Sequence, residues 1–178
     1  MTALELEDLD SDPAMRMAAL RAAYGRFPTG VIAVCALRDD QPVGIAASTF
    51  VAVSIEPPLV SVCVQHTSTT WPRRAGQARL GLSILGDTHD AACRQLAAKS
   101  GDRFAGLAWS VTDEGAIFLH EAASWLDCSI HQVVPAGDHD IVLLRVEALK
   151  LHDGIGPLVF HASDFHSLAR PATPMAEQ

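Results

Sequence analysis

The sequence predicts a mainly β protein with a few helices, folded as a closed or nearly closed antiparallel barrel. Three observations lead there. Short strand-like segments follow one another directly, without the helices that parallel crossovers need. Two alternating runs, Trp125 to Val134 and Ile141 to Leu151, flank the turn Pro135-Ala136-Gly137-Asp138 as a long hairpin. No G-x-G-x-x-G occurs, which argues against a doubly wound dinucleotide-binding sheet.

The chain has 178 residues, 49% of them hydrophobic, so it is globular and long enough to bury a core as one domain. The expected division is an acidic tail over 1–12, a folded domain over 13–168 and a second tail over 169–178. A formal charge of −8 with no basic face excludes a nucleic-acid surface, and a phosphate-bearing ligand would need the few cations concentrated locally. The acidic amino terminus is the reverse of a signal peptide, and no apolar run is long enough to span a membrane. A cytoplasmic location is expected. Cys35, Cys63, Cys93 and Cys128 are far apart with no C-x-x-C pair, which predicts free thiols rather than disulfides or a zinc site.

Taken in order, Asp12-Pro13 caps a helix ending at Gly25, with Met15, Met17, Leu20, Ala23 and Tyr24 along one side. Phe27-Pro28-Thr29-Gly30 turns into a strand over Val31 to Leu37. Asp39-Asp40 makes a hairpin turn, and Val43 to Ala47 returns from it. A strand follows from Phe50 to Ile55, stopped by Pro57-Pro58, which remove two ladder donors. Leu59 to Val64 is a continuous apolar run, expected at the centre of the sheet. His66 to Thr70 is a loop of hydroxyls, with Ser68 placed to cap a short helix running through Gly76. Leu80 to Leu85 is a strand. Asp87 or Thr88 caps a helix over Asp90 to Lys99 whose apolar face is Ala91, Leu96, Ala97 and Ala98. Gly101 to Ser110 reads as loop or a short helix, and Ile117 and Leu119 fall in a short extended piece. In the long hairpin, Leu126, Cys128, Ile130 and Gln132 share one face of the first strand, and Val142, Leu144, Val146 and Ala148 one face of the second. Leu158 to Phe160 is a last short strand.

The stretch Gly44 to Pro58 carries the chemistry. Gly44-Ile45-Ala46-Ala47 is small enough for a planar ligand to approach, and Ser48-Thr49 add hydroxyls before the strand. An ordinary turn would look similar, and the order of the other motifs decides between the two. The stretch resembles the signature of the short-chain flavin reductases, the reductase partners of two-component flavin-dependent monooxygenases. Phe27-Pro28-Thr29-Gly30-Val31 precedes it, and Leu59-Val60-Ser61-Val62-Cys63-Val64 follows as the next strand. Then come Ser68-Thr69-Thr70-Trp71, Lys99-Ser100-Gly101-Asp102-Arg103-Phe104-Ala105-Gly106, Ala136-Gly137-Asp138-His139 and Pro157-Leu158-Val159-Phe160-His161. The likeness runs from about residue 20 to residue 168.

The resemblance implies an FMN-binding split β-barrel that dimerises and passes a hydride from NADH to FMN or FAD, for delivery to a monooxygenase. It places the flavin on Thr29, Gly44, Ile45, Ala46, Ala47, Ser48, Thr49, Cys63, Val64, Gln65, Ser68, Thr69, Thr70, Arg103 and Phe104, with His161 and Phe165 at the nicotinamide side. Of the cations Arg73, Arg74, Lys99 and Arg103, the last sits in the flavin-contacting loop; a surface ion pair with Asp102 or Asp113 is its bland alternative. His139, in Gly-Asp-His, resembles the family histidine beside the nicotinamide. No acid or base is needed to move a hydride, so no triad is expected. Ser163 stands where a glycine is usual and Phe165 where a tyrosine is usual. These departures keep a second reading in play, a split-barrel protein that carries flavin without reducing it. An oxidase of the same barrel type ranks third, because it would want a basic substrate pocket.

Overall fold

The computed structural model describes residues 12–71 and 78–169. Helix α1 (Pro13–Gly25) is followed by β1 (Thr29–Gly30), β2 (Ile32–Arg38), β3 (Gln41–Ala47), β4 (Val51–Ser54), β5 (Leu59–Gln65) and β6 (Leu80–Ile84). After α2 (Asp90–Leu96) come β7 (Trp109–Val111), β8 (Ile117–Leu119), β9 (Ser124–Ala136), β10 (His139–Leu151), β11 (Leu158–His161) and β12 (Asp164–Ser167). Seven strands form one antiparallel sheet in the order β3-β2-β6-β9-β10-β5-β4; β1-β11-β12 and β7-β8 form two smaller sheets.

The hydrogen-bonded order has two ends, so the large sheet does not close. Its curl is nevertheless almost complete. Ile45 and Ala47 from β3 pack into the same core as Val60, Val62 and Val64 from β5, together with Ile32, Val34, Leu82, Val142 and Leu144. Where β3 runs out, Thr49 takes the place of a ladder residue: its Oγ1 accepts from the Cys63 amide at 2.9 Å and donates to the Cys63 carbonyl at 3.2 Å. The barrel is split between β3 and β5, and one hydroxyl bridges the split.

A second core explains why β2 is apolar at consecutive positions. Ile32, Val34 and Ala36 face the barrel interior; Val31, Ala33 and Cys35 face outward against Cys93 and Leu96 of α2, Ile117 and Leu119 of β8 and Leu158 of β11. A strand buried on both faces reads as a continuous hydrophobic run. The same reasoning misplaces β5, which lies between β10 and the edge strand β4, not at the centre. Its inward face is Val60, Val62 and Val64, and the small outward Ser61 is covered as well.

Other elements depart from expectation for local reasons. Asp12 does cap α1, its Oδ1 accepting from Ala14 N at 2.9 Å and Met15 N at 3.3 Å. Yet among the described residues no residue of α1 is buried, and Met15, Met17 and Tyr24 are exposed. Neither Asp87 nor Thr88 caps α2. The N-cap is His89, whose Nδ1 accepts from Gly86 N, while the Asp87 amide donates to the Gly156 carbonyl. The helix ends at Leu96 rather than Lys99, and its buried face is Ala92, Cys93 and Leu96, not Ala91. Trp109 and Ser110, read as loop, begin β7 and pair with β8. In β9 the register against β10 slips between Ile130 and Gln132, so Val133 packs on the core and Gln132 is exposed. A second slip, between Val146 and Ala148, leaves Ala148 exposed. Of the short helix expected from Ser68 through Gly76, residues 68–71 are not helical, and the rest, with Arg73 and Arg74, lies outside the described residues.

Two hairpins turn through left-handed residues. Asp39 and Asp40 have φ of 48° and 58°, a conformation that aspartate tolerates. The β11–β12 turn, unread in the sequence because only Phe165 of β12 is apolar in alternation, has Ala162 at 50° and Ser163 at 67°. Ser163 is exposed, so Ser163→Gly relieves the backbone penalty without loss of packing. It is expected to stabilise the chain by about 0.5–1 kcal/mol in urea denaturation; no gain would show that the turn carries no strain.

Candidate active site

A cleft of about 620 Å³ opens where the barrel is split. One wall is the end of β3 and its continuation, Ile45, Ala46, Ala47, Ser48 and Thr49. The facing wall is the end of β5, Cys63, Val64 and Gln65, followed by Thr67, Ser68, Thr69 and Thr70. The end of α2 supplies Leu96 and Ala97, the loop beyond it Lys99 and Arg103, and the start of β10 His139. Thirteen of the residues anticipated from the sequence therefore meet in one place, although they come from five separate segments.

The side chains are prepared differently. Thr49 spends its hydroxyl on Cys63, as described, so its task is to hold the wall together rather than to offer a donor to a ligand. Arg103 makes neither of the ion pairs considered. Asp102 Oδ1 accepts instead from the Phe104 amide at 2.9 Å, and Arg103 Nη1 donates to Thr70 Oγ1 at 2.7 Å and to the Leu96 carbonyl at 3.2 Å. The guanidinium thus ties the hydroxyl loop to the carbonyl end of α2. The hydroxyls of Ser48, Ser68 and Thr69 bond to no other described residue.

Charge is distributed against the average. In a chain of net −8, the described residues of the cleft lining include Lys99, Arg103 and His139 and no carboxylate. His139 Nδ1 bonds Asp138 Oδ1 at 2.7 Å just outside the lining. The Asp138 carboxyl is held below the usual carboxylate range, first by that hydrogen bond and then by the charge of the imidazole.

Five anticipated residues lie outside the lining. Thr29 pairs with Phe160 between β1 and β11. Gly44 is buried where an added Cβ would stand 2.5 Å from Cys35 Sγ and 3.1 Å from Phe104, so its smallness serves packing of the second core. Phe104 is buried in that core, and His161 stands beside His166 with ring centroids 6.1 Å apart. Phe165 lines a smaller apolar cavity of about 170 Å³ with Phe160, Val31 and Cys93, sharing Ala46, Ala47, Ser48 and Ala97 with the cleft. Thr67, Leu96 and Ala97 are additions to the anticipated contacts, and Lys99, one of the four candidate cations, lines the cleft beside Arg103. The small-residue spacing at the end of a helix, Leu96-Ala97-Ala98, was the available signal for two of them.

All four cysteines are free. Burial pushes the Cys93 thiol up to about 11 and Cys128 up to about 12, and Cys35 higher still, so these three are inert packing groups. Cys63 lines the cleft. Among the described residues no cluster of three or more His, Cys, Asp or Glu is placed to hold a metal ion, and no helix is long and apolar enough to cross a membrane.

Fold and cleft together define a split-barrel protein whose described cleft lining combines small residues, hydroxyls and cations. The comparisons with known proteins make the assignment specific. The model of the flavin reductase like domain matches residues 24–169. A flavin reductase of Pseudomonas putida is 34% identical over 150 residues, 84% of this chain and 88% of the relative. The reductase subunit HsaB of a flavin-dependent monooxygenase from Mycobacterium tuberculosis is 30% identical over 158 residues, 88% of this chain and 84% of the relative. The NADH:FAD oxidoreductase SgcE6 of Streptomyces globisporus, solved in complex with NAD and FAD fragments, superposes with a TM-score of 0.80 at 30% identity, covering 98% of this chain and 100% of that one. The chain belongs to the flavin reductase like family.

Proposed function

We propose that the protein is an NADH-dependent flavin reductase whose product, reduced FMN or FAD, serves a separate monooxygenase. The observation that carries this is the cleft itself: among the described residues, a wall of small residues, free hydroxyls, two cations and no carboxylate, in a chain that is acidic overall. Those residues fit a flavin. Ser68, Thr69, Thr70, Lys99 and Arg103 match the needs of a phosphate, and Ala46 and Ala47 leave room for a flat ring. Backbone groups along Ile45 to Thr49, with Ser48 Oγ and Gln65, line the cleft where they would offer hydrogen bonds to the polar edges of such a ring. Bound flavin supplies the hydride-accepting ring; the chain supplies position, a non-acidic surrounding and exclusion of water along the apolar wall.

His139 is assigned to the nicotinamide side of the cleft, where it lies at the mouth with its side chain 40% exposed. A homodimer in the cytoplasm is part of the reading. It draws support from the apolar residues left uncovered in one copy, Val51, Val53 and Ile55 at edge strand β4 and Leu149 and Leu151 at the far end of β10.

The test is anaerobic. Protein, FMN and NADH are mixed and the bleaching of the flavin visible band is followed, beside His139→Ala and with NADPH in parallel. Rapid bleaching with NADH, slowed in the variant at low NADH, is the expected result. If NADH is oxidised no faster than in buffer, the reductase reading fails, and flavin retained through gel filtration would then favour a carrier.

A further inference from the structure

We propose that Asp138 is a positioning residue for His139: its carboxylate holds the Nδ1–H of the imidazole, so that Nε2 is the nitrogen presented to a primary carboxamide in the cleft. The inference rests on the assignment of His139 to the nicotinamide side.

The geometry begins with the turn. Gly137, in the left-handed region at φ 63°, and Asp138 close the β9–β10 hairpin. The Asp138 carbonyl accepts from the His66 amide at 3.0 Å, which fastens the turn to the end of β5. His66 Nε2 in turn meets Asp140 Oδ1 at 3.1 Å, and Gln65 lies opposite His139 in the β5–β10 register. Residue 138 is therefore anchored through its main chain, and its carboxylate reaches His139 Nδ1 at 2.7 Å from that fixed base. The charged and titratable groups around His139 among the described residues are Asp138, Asp140 and His66 on the hairpin side, with Lys99 and Arg103 in the cleft.

The chemistry follows from the donor inventory. An ionised carboxylate only accepts, so the imidazole nitrogen facing it must carry a proton. In the neutral ring the remaining nitrogen, Nε2, is then an acceptor, whereas the opposite tautomer would set two lone-pair sites against each other at Nδ1. Asp138 stays ionised for this task, its carboxyl lowered first of all by the hydrogen bond to His139. A neutral acceptor suits the amide N–H₂ of a nicotinamide. It also avoids a fixed positive charge beside a ring that itself becomes cationic when it gives up hydride.

The experiment has a spectroscopic arm and a kinetic arm. Imidazole 15N shifts of His139 are measured in the flavin-free full chain at about pH 8.5, two units above the ordinary histidine value of about 6.5. The wild type is expected to show the Nδ1–H tautomer, and Asp138→Ala a shift toward Nε2–H. Asp138→Asn keeps an oxygen acceptor and falls between. In turnover, Asp138→Ala raises the KM for NADH about three- to tenfold, the worth of one ordinary hydrogen bond, with kcat and the FMN Kd unchanged. His139→Ala is run beside it. If His139→Ala leaves the NADH KM unmoved, the nicotinamide assignment fails and the inference with it. If His139→Ala raises the KM while Asp138→Ala moves neither tautomer nor KM, the inference alone is overturned; a tautomer shift with an unchanged KM overturns it equally.

Discussion

Arg103→Ala is expected to weaken FMN binding by roughly 10- to 150-fold, the equivalent of about 1.5–3 kcal/mol for hydrogen bonds to a charged group. Two features of the site argue for an effect of that size. Arg103 is one of two fully charged side chains in a lining without carboxylates, so its removal leaves Lys99 as the remaining permanent cation there among the described residues. It is also pre-positioned, because Nη1 is already committed to Thr70 Oγ1 and the Leu96 carbonyl. The rest of the guanidinium fork makes no ion pair with a neighbouring aspartate, and nothing has to be broken before an anion is met. The same bonds mean that the substitution could loosen the loop instead of deleting a phosphate contact. Riboflavin separates the two explanations. It carries the ring and ribityl chain without the phosphate, so its affinity should be almost the same in wild type and variant. A parallel loss of riboflavin affinity would show that Arg103 supports the wall and does not bind phosphate. Arg103→Lys keeps the charge but cannot span Thr70 and Leu96 in the same planar geometry, and it is expected to recover part of the FMN affinity only.

The contrast between Arg103 and Thr49 shows what the sequence could and could not say about this site. Both were legible as members, because hydroxyls after small residues and a cation in a Gly-Asp-Arg-Phe loop are local patterns. Their employment was not. Thr49 bonds across 14 residues to Cys63, and Arg103 across 33 residues to Thr70. Which hydroxyl is free for a ligand is decided by how far β3 runs before the barrel splits, and that distance is a property of the sheet register. The fold was readable for the same local reasons. Asp39-Asp40 and Gly137-Asp138 are turn residues between alternating runs, and the hairpins formed where they predict. The failures lie where tertiary pairing overrides the pattern. The slip near His131 exchanges Gln132 for Val133 on the core face, and β12 exists because β11 offers it an edge, not because Asp164–Ser167 looks like a strand. Lys99 and Ala97 enter the cleft because α2 stops at Leu96, a boundary fixed by packing of Cys93 and Leu96 that the capping residues did not mark.

Gly81→Ala is expected to cost more than about 3 kcal/mol of stability, in the range reserved for overpacked cores, and to leave little folded protein. Gly81 lies in β6, paired with Cys35 on one side and Asp127 on the other. A Cβ built on it would stand 2.1 Å from the Ile117 carbonyl oxygen and 2.6 Å from its carbon. Those are main-chain atoms of β8, so no rotamer change relieves the contact; the strand itself must retreat. Retreat is costly, because Ile117 and Leu119 are fully buried in the second core and the Leu119 amide donates to the buried Ser83 hydroxyl at 2.9 Å. Gly30 is the internal control. It also sits in a strand, its φ is not positive, and an added Cβ meets nothing within 4 Å, so Gly30→Ala should change stability by less than about 1 kcal/mol. Urea denaturation of both variants without flavin tests the pair. Equal, small losses would mean that β8 is free to slide on β6 and that the outer core is not the rigid backing of β2 and β3 on which the cleft depends. A large loss at Gly81 alone would establish that the wall carrying Ile45 to Thr49 is braced from behind by close backbone packing between two sheets.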